Sequence, residues 1–249
     1  KELGSQVTIS CSGYGSPRSA EASVAPDGPL CASEWGDEAT LFRELVPECT
    51  LIVGRNRVRA AHLCAAVRPD SILVLDDGFQ HLPLGKDMNI ILDELHPKNC
   101  WCLPAGPYRE PRWNRNRADL CLPGEFKVQF TPLWFTLNGL KVQCAAPQQP
   151  VAVLCAIGQP QSFLTSLRDA GISVETVQSL PDHDTLSDPN LFDRVGDHEL
   201  VVTAKDWVKL RERTDLESRQ IVVAQRRVTI EPREAFQKWL VAKLDEAAS

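Results

Sequence analysis

Two adjacent aspartates directly follow a short apolar run in the first part of the chain. Residues 72–75 read Ile-Leu-Val-Leu, which predicts a strand buried on both faces, and Asp76 and Asp77 stand where it would leave the sheet. Ligands bind at that end of the strands in an open α/β sheet. Because neighbouring carboxylates repel each other, the pair favours a hard cation such as Mg²⁺, although such pairs also cap turns and helices.

A second acidic pair, Asp37 and Glu38, follows Gly36, and His183 stands much later in a Pro-Asp-His sequence. A carboxylate paired with a histidine is suited to proton transfer, because each group orients the other. Taken alone, the acidic pair is equally typical of a helix N-terminus, and a lone loop histidine is usually a surface residue. The residues themselves leave these alternatives open.

Two longer sequence motifs are more specific than these residue pairs. Asp-Asp-Gly-Phe-Gln-His at 76–81 precedes Leu-Pro-Ala-Gly-Pro-Tyr-Arg-Glu-Pro at 103–111, and five shorter pieces accompany them along nearly the whole chain. Together they resemble the signature of the tetraacyldisaccharide 4'-kinases, the lipid A 4'-kinases of Gram-negative envelope synthesis. The shorter pieces are Gly13-Tyr14-Gly15, Gly36-Asp37-Glu38, Val53-Gly54-Arg55-Asn56-Arg57-Val58, Pro181-Asp182-His183 and Thr203-Ala204-Lys205-Asp206-Trp207-Val208-Lys209.

The resemblance implies an enzyme that uses ATP and Mg²⁺ to phosphorylate the 4'-hydroxyl of tetraacyldisaccharide 1-phosphate. It gives Asp37 the role of catalytic base, assisted by His183. Asp76 or Asp77 occupies the position of a Walker B carboxylate; we assign Asp76 and Glu38 to the metal and Asp77 to the catalytic group. We expect the active site in a cleft between two domains, completed by domain closure.

The acceptor is a phosphorylated sugar, which sets the predicted substrate contacts. Arginine side chains suit its phosphate, and Tyr, Gln and His side chains can bind sugar hydroxyls. Arg109 and Glu110 can instead form an internal salt bridge, and both alternatives stay open. Lys205 and Asp206 are interpreted as a strand-to-helix turn that Asp206 caps. The predicted substrate-binding residues are Tyr14, Arg55, Gln80, His81, Arg109 and Glu110.

The chain departs from the family pattern in three places. Ser12 stands where the family usually has Arg, and Ala204 where it has Glu. No Gly-x-x-x-x-Gly-Lys-Ser/Thr phosphate loop occurs in the chain, which begins at Lys1, so we expect that loop upstream. The rival interpretation is a noncatalytic relative, or an inactive fragment, that binds the glycolipid and transfers nothing.

Composition excludes other classes of protein. A net charge of −6 with scattered Lys and Arg provides no basic surface for nucleic acid. The nine cysteines form no CxxC pair, which favours reduced, mostly buried thiols in a cytosolic protein over a zinc site.

No apolar run approaches the roughly 20 residues that cross a bilayer. The substrate's acyl chains nevertheless lie in a membrane, and aromatic residues alternate with arginines between positions 101 and 117, a mixture suited to an anionic headgroup layer. A loop packed on its own domain is the alternative. We expect a monomer in peripheral contact with the cytoplasmic face of the inner membrane, or in the cytoplasm if the N-terminal region is absent. The residues concerned are Trp101, Tyr108 and Trp113, with Arg109, Arg112, Arg115 and Arg117.

Strand and helix patterns alternate, which predicts two α/β/α sandwich units with mainly parallel sheets, like those of P-loop NTPases, joined by a β-hairpin linker. Asn138-Gly139 supplies the hairpin signal. The predicted domains are 1–122 and 151–249, with the linker at 123–150. Helices are predicted at 57–67, 160–170 and 232–244, and strands at 7–10, 51–53, 72–75, 89–92, 118–122, 151–157, 172–177, 200–203 and 221–224.

Overall fold

The computed structural model describes residues 4–140, 142–216 and 219–248. The predicted α/β class is confirmed. In chain order the elements are β1 (Val7–Cys11), β2 (Ser23–Val24), α1 (Ala32–Trp35), α2 (Asp37–Leu45), β3 (Thr50–Val53), α3 (Arg57–Val67), β4 (Ile72–Leu75), β5 (Ile90–Leu92), β6 (Leu120–Leu122), β7 (Lys127–Phe130), β8 (Trp134–Leu137), β9 (Gln143–Cys144), β10 (Val151–Cys155), α4 (Pro160–Asp169), β11 (Val174–Ser179), β12 (Glu199–Thr203), α5 (Ala204–Leu210), β13 (Ile221–Gln225), β14 (Val228–Glu231) and α6 (Arg233–Ala248).

Contacts divide the chain into two compact units. Unit 1 comprises Lys1–Asp76 and Pro132–Arg226, and unit 2 comprises Asp77–Thr131 and Arg227–Ser249. This grouping differs from the predicted boundaries because strand pairing splits the predicted linker: β7 pairs with β14 in unit 2, whereas β8 and β9 join a sheet of unit 1. The domain boundaries drawn from the sequence stay a prediction. The Asn-Gly hairpin is present, since β8 and β9 pair antiparallel on either side of it.

Unit 1 contains two sheets, each built mainly from parallel strands. The four-stranded sheet has the order β2-β3-β1-β4, with β1 parallel to both β3 and β4. The six-stranded sheet has the order β11-β10-β12-β13-β8-β9 and is parallel from β11 to β13. The loops that leave the carboxyl ends of these strands carry most of the predicted site residues, as expected for an α/β sheet.

Both faces of the six-stranded sheet are covered. All five residues of β10 are buried, which is the reason that its sequence is continuously apolar. Ala152 and Leu154 join a cluster with Leu210 of α5 on one face. Val153 joins a second cluster with Leu167 of α4 on the other face. Burying one such side chain contributes about 1.5–3 kcal/mol, so this core fixes the strand ends firmly.

Residues just after α5 hold the segment that contains α1 and α2, within unit 1. The Arg211 guanidinium binds the Glu44 carboxylate and donates to the Leu30 carbonyl at 3.0 Å. The Glu212 carboxylate accepts a hydrogen bond from the backbone N–H of Ala32, in the first turn of α1. A negative charge is favourable at a helix N-terminus. These contacts keep α2 beside α5, and α2 and α5 both carry residues of the candidate site.

Unit 2 is built on two small sheets and a helix. β5 pairs parallel with β6, and β14 pairs antiparallel with β7. Phe126 is buried beside Leu120 and Leu122 of β6 and packs on two aromatic rings of α6. Its ring centroid lies 5.4 Å from that of Phe236 and 6.2 Å from that of Trp239. Aromatic packing therefore joins α6 to the β6–β7 region.

Asp93, directly after β5, anchors the long loop that leads to β6. Its side chain is 11% exposed and accepts hydrogen bonds from the Tyr108 hydroxyl at 2.7 Å and from Nη2 of Arg112 at 2.7 Å. Burial acts to raise the pKa of Asp93, but the hydrogen bonds from Tyr108 and Arg112 outweigh it and the pKa is lowered. Burial and the Asp93 carboxylate raise the pKa of Tyr108 to about 12.

The arginines of this loop, whose pattern suited an anionic headgroup layer, pair with carboxylates of the same unit. Arg112 is bound to Asp93, Arg115 lies 3.7 Å from it, and Arg117 binds Glu110 at 2.5 Å. Each positive charge thus has a carboxylate partner within unit 2. Two tryptophans of the same segment are open to solvent: Trp101 is 72% exposed and Trp113 is 73% exposed. Of the helices within the described ranges, none has the length and apolar character to cross a bilayer.

We expect Asp93→Asn to lower the free energy of unfolding by about 2 kcal/mol at pH 7, because hydrogen bonds to a buried charge are lost. Since the folded-state pKa is lowered, the stabilisation is present above the unfolded pKa of about 3.9 and is lost as the pH falls below it. Urea unfolding at pH 7 and at pH 3 measures the difference, with exposed Asp87→Asn as the control. Equal stability of the two variants at pH 7 would contradict the anchoring role.

Candidate active site

Asp37 and His183 meet, although 146 positions separate them. Asp37 is the first residue of α2 and is 5% exposed, and His183 lies in the loop after β11. His183 Nδ1 is 3.1 Å from Asp37 Oδ2 and 3.2 Å from Oδ1. Asp37 thus begins a helix and also pairs with a histidine, so both alternatives that the sequence left open are present. The pair lies inside unit 1 and is already in contact, without the domain closure expected from the sequence.

Close backbone approach explains the glycine before Asp37. Gly36 has a φ of 86°, and a Cβ atom there would lie 3.2 Å from the Tyr14 carbonyl oxygen. The Gly13-Tyr14-Gly15 and Gly36-Asp37-Glu38 strings therefore meet at one point. Within α2, the backbone N–H of Glu38 donates to Asp37 Oδ1 at 2.8 Å. A helix N-terminus with a donated N–H stabilises the carboxylate anion.

His183 is held in an unusual backbone conformation. Its φ of 62° is uncommon for a residue other than glycine, and such positions cluster at functional sites. Two hydrogen bonds fix the turn: the His183 N–H donates to Asp182 Oδ1 at 3.0 Å, and the Asp184 N–H donates to the Pro181 carbonyl at 3.1 Å. The Tyr14 ring covers the imidazole, with 4.7 Å between ring centroids. Both the loop and the ring orientation are thus constrained.

Lys205 and Lys209 of α5 place two ammonium groups beside the pair. Each Nζ lies 3.8 Å from Asp37 Oδ2. Lys205 Nζ is also 3.1 Å from Asp182 Oδ1 and 3.5 Å from His183 Nε2. An ammonium group can only donate, so a neutral His183 accepts at Nε2 and carries its proton on Nδ1, facing Asp37. The imidazole therefore donates to the Asp37 carboxylate.

Glu38 and Asp76, the predicted metal ligands, are close enough to interact. Burial raises the pKa of Glu38, and the charge of Asp76 raises it further. The Asp76 backbone follows β4, donates to the Ser10 carbonyl at 2.9 Å and accepts from Arg57 Nη2 at 2.6 Å. Mg²⁺ commonly takes one or two protein carboxylates plus substrate phosphates, and a cation would relieve this repulsion, so the two residues fit that ion. No group of three or more His, Cys, Asp and Glu side chains arranged for a metal occurs among the described residues.

Asp77 differs from its neighbour. Its φ is 51°, its side chain is 77% exposed, and it begins unit 2. Arg109 Nη1 lies 3.9 Å from its Oδ2. Glu110 binds Arg117, and its Oε2 also accepts from Asn114 at 2.7 Å. Asp77 and Arg109 thus form one exposed pair, while Glu110 shapes its own loop.

The remaining predicted contacts are distributed over both units. Tyr14 is 59% exposed beside His183, and Arg55 is exposed after β3. In unit 2, Gln80 is exposed and His81 is half-buried. Among the described residues, His81 Nε2 and Glu110 Oε1 are buried polar atoms that lack a hydrogen-bond partner. The substrate-binding roles stay predictions.

The interpretation of Lys205 and Asp206 as a simple capped turn was incomplete. Thr203 is the capping residue, since its Oγ1 accepts from the Asp206 N–H at 3.1 Å. The Asp206 carboxylate instead accepts from the Ala156 N–H at 3.1 Å and from the Thr203 hydroxyl at 2.7 Å. The sequence could have indicated that the two lysines act together, because positions 205 and 209 lie on one face of a helix.

Comparison with known proteins agrees with the motifs. The family model described as Tetraacyldisaccharide-1-P 4'-kinase matches residues 1–245. Tetraacyldisaccharide 4'-kinases of Shewanella piezotolerans and Leptothrix cholodnii are each 34% identical, over 80% and 84% of this chain. The chain spans 63% and 65% of the lengths of those two relatives. The relative from Herminiimonas arsenicoxydans is 31% identical over 98% of this chain and 75% of its own.

A solved structure has the same fold. The "apo" form of LpxK from Aquifex aeolicus in complex with ATP superposes with a TM-score of 0.74 at 25% identity. The match covers 96% of this chain and 79% of that one. The fold, the family model and the ordered motifs lead to one conclusion: the chain belongs to the tetraacyldisaccharide 4'-kinase family.

Proposed function

We propose that this protein transfers the γ-phosphoryl group of ATP to the 4'-hydroxyl of tetraacyldisaccharide 1-phosphate. The observation that carries the proposal is the buried Asp37 carboxylate in contact with His183 Nδ1 at 3.1 Å. Family membership supports the reaction, and the related Aquifex aeolicus protein was solved in complex with ATP.

In this proposal Asp37 accepts the proton of the attacking hydroxyl. Phosphoryl transfer depends mainly on positioning and charge stabilisation, so the base has to be fixed. His183 fixes it from one side, and the backbone N–H of Glu38 fixes it from the other at 2.8 Å. As the hydroxyl oxygen bonds to the γ-phosphorus of ATP, the bond from that phosphorus to the β–γ bridging oxygen breaks, ADP leaves, and the hydroxyl proton stays on Asp37.

Glu38 and Asp76 would hold Mg²⁺ in this scheme. When bound, the ion neutralises charge on the phosphate oxygens. Burial and then the charge of Asp76 raise the pKa of Glu38, and a divalent cation bound by the two carboxylates would relieve their repulsion. Asp77 is proposed as a further catalytic residue on sequence grounds.

Sugar and phosphate contacts follow the residue chemistry. Tyr14 lies beside His183, where its hydroxyl can meet the acceptor sugar. Arg55 and Arg109 are exposed guanidinium groups suited to a phosphate. Gln80, His81 and Glu110 supply hydrogen-bonding groups in unit 2. The rival proposal is a protein that binds the glycolipid without transferring phosphate.

We also propose peripheral contact with the cytoplasmic face of the inner membrane, by a monomer. The support is the exposure of Trp101 and Trp113, since exposed tryptophan favours the membrane–water interface. Leu103 of the same segment is 64% exposed. Because Arg112 and Arg117 are paired with carboxylates, the contact is mainly apolar rather than electrostatic.

We expect the full-length protein, with ATP, Mg²⁺ and tetraacyldisaccharide 1-phosphate in detergent micelles, to form the 4'-phosphorylated product. Asp37→Ala or His183→Ala lowers turnover roughly 100-fold or more and leaves ATP affinity nearly unchanged, because a proton-transfer group is lost while nucleotide contacts remain. Thin-layer chromatography of radiolabelled lipid measures the product. Glycolipid binding by the wild-type protein with no transfer would favour the rival proposal, and lost ATP binding in the variants would place both residues at the nucleotide.

We expect the protein to float with anionic vesicles, and raising the salt from 0.1 to 0.5 M to change the bound fraction little, since screening acts on unpaired charges. Trp101→Ser combined with Trp113→Ser weakens the binding severalfold. Leu140→Ser, at a 59% exposed leucine of unit 1, is the matched control and binds like the wild type. Unchanged flotation of the double variant would remove this segment from the membrane contact.

A further inference from the structure

Lys209 is a buried cation to which the sequence motifs assign no role. Its side chain is 7% exposed, and an unpaired ammonium group at such a depth costs several kcal/mol. Its Nζ donates to the Asp184 carbonyl at 2.9 Å and lies 3.3 Å from Asp206 Oδ1 and 3.8 Å from Asp37 Oδ2. The three donors of one ammonium group therefore face three different elements.

Each of those elements carries part of the candidate site. Asp184 follows His183 directly, so the hydrogen bond to its carbonyl holds the histidine loop. Asp37 is the proposed base at the start of α2. Asp206 is 0% exposed and joins α5 to the end of β10 through the Ala156 N–H. Lys209 thus connects both members of the Asp37–His183 pair to the rigid six-stranded sheet.

We propose that Lys209 is a positioning residue for the Asp37–His183 pair. Its charge attracts the Asp37 carboxylate, and its hydrogen bond fixes the loop that presents the imidazole, with Asp206 as the fixed support. The inference rests on the proposed function, because it assumes that this pair does the chemistry. It concerns geometry within unit 1, so it can be measured separately from phosphate transfer.

Lys205 differs from Lys209 in ways that matter for the test. Lys205 is 20% exposed on its side chain and contacts the pair directly through His183 Nε2 at 3.5 Å. Lys209 contacts the backbone of the histidine loop rather than the imidazole, and both lysines lie 3.8 Å from Asp37 Oδ2. The charged and titratable groups that face Asp37 are His183 from its loop, Glu38 from α2, and Lys205 and Lys209 from α5.

The test compares Lys209→Met, which removes the charge, with Lys209→Arg, which keeps it. In the wild type, ¹⁵N NMR of the His183 ring is expected to show a proton on Nδ1. Lys209→Met shifts the ring toward a mixture of tautomers, because the loop and the carboxylate are no longer held together. The Arg variant retains most of the wild-type signal. Lys243→Met, at a lysine of α6 paired with Glu246, is the control and leaves the signal unchanged.

Kinetics supply the second measurement. Lys209→Met is expected to lower kcat roughly 10-fold or more, with KM for ATP within about twofold, because the base is no longer held in position. Lys209→Arg recovers part of kcat. If Lys209→Met does not fold, Lys209→Gln, which retains a donor for the Asp184 carbonyl, replaces it.

The two measurements separate the possible failures. If Lys209→Met or its replacement Lys209→Gln folds and leaves the tautomer signal of His183 unchanged, the positioning role is overturned. A lower melting temperature with an unchanged signal and an unchanged kcat also overturns it, because it describes a merely structural lysine. Absence of phosphate transfer in the wild type, together with the predicted change in the His183 signal, overturns the proposed function and supports the positioning role.

Discussion

The site depends on the compensation of one buried negative charge. Asp37 is 5% exposed, and a carboxylate at that depth is stable as an anion only with close donors and cations. It has the His183 imidazole at 3.1 Å, the Glu38 N–H at 2.8 Å and two lysine ammonium groups at 3.8 Å. These groups come from three separate stretches of the chain, so the fold has to bring them together before any chemistry can occur.

The architecture of unit 1 meets that requirement through the helix pair α2 and α5. Arg211 and Glu212, just beyond α5, bind the segment around α1 and α2. Asp206 ties α5 to the end of β10, in the most deeply buried strand of the larger sheet. A rigid sheet thereby supports the cations, and the cations in turn hold the base. Flexibility at this point would cost catalysis, because small displacements of a reacting group have large effects on rate.

Much of this could be predicted from the sequence, because local patterns carried it. The helix at Arg57–Val67 and the strand at Ile72–Leu75 follow from periodicity and from an apolar run, and both are present with the predicted bounds. The prediction that this strand is buried on both faces was wrong, because it is the last strand of its sheet and Val74 is 48% exposed. Asp37 and His183 were found through short strings resembling a family, and the structure places them in contact. The hairpin at Asn138-Gly139 followed from turn chemistry.

Other features depend on tertiary contacts that no local pattern encodes. Lys209 looked like an ordinary helix residue, since its importance comes from Asp184 and Asp37 reaching it from elsewhere. The ion pair of Arg112 could not be predicted locally, because its partner Asp93 is 19 positions away. The split of 123–150 between two sheets depends on partners as distant as β14 and β13. Exposed cysteines such as Cys31 and Cys100 likewise depart from the expectation of mostly buried thiols.

A double-mutant cycle on turnover tests most directly whether Asp37 and His183 act as one unit. The variants are Asp37→Asn, His183→Gln and the combination, each assayed for phosphoryl transfer to the glycolipid. Residues that act together give strongly non-additive losses of turnover. We therefore expect the turnover of the combined variant to lie within about twofold of that of the slower single variant. Losses that multiply in the combined variant would show two independent residues and would contradict the account.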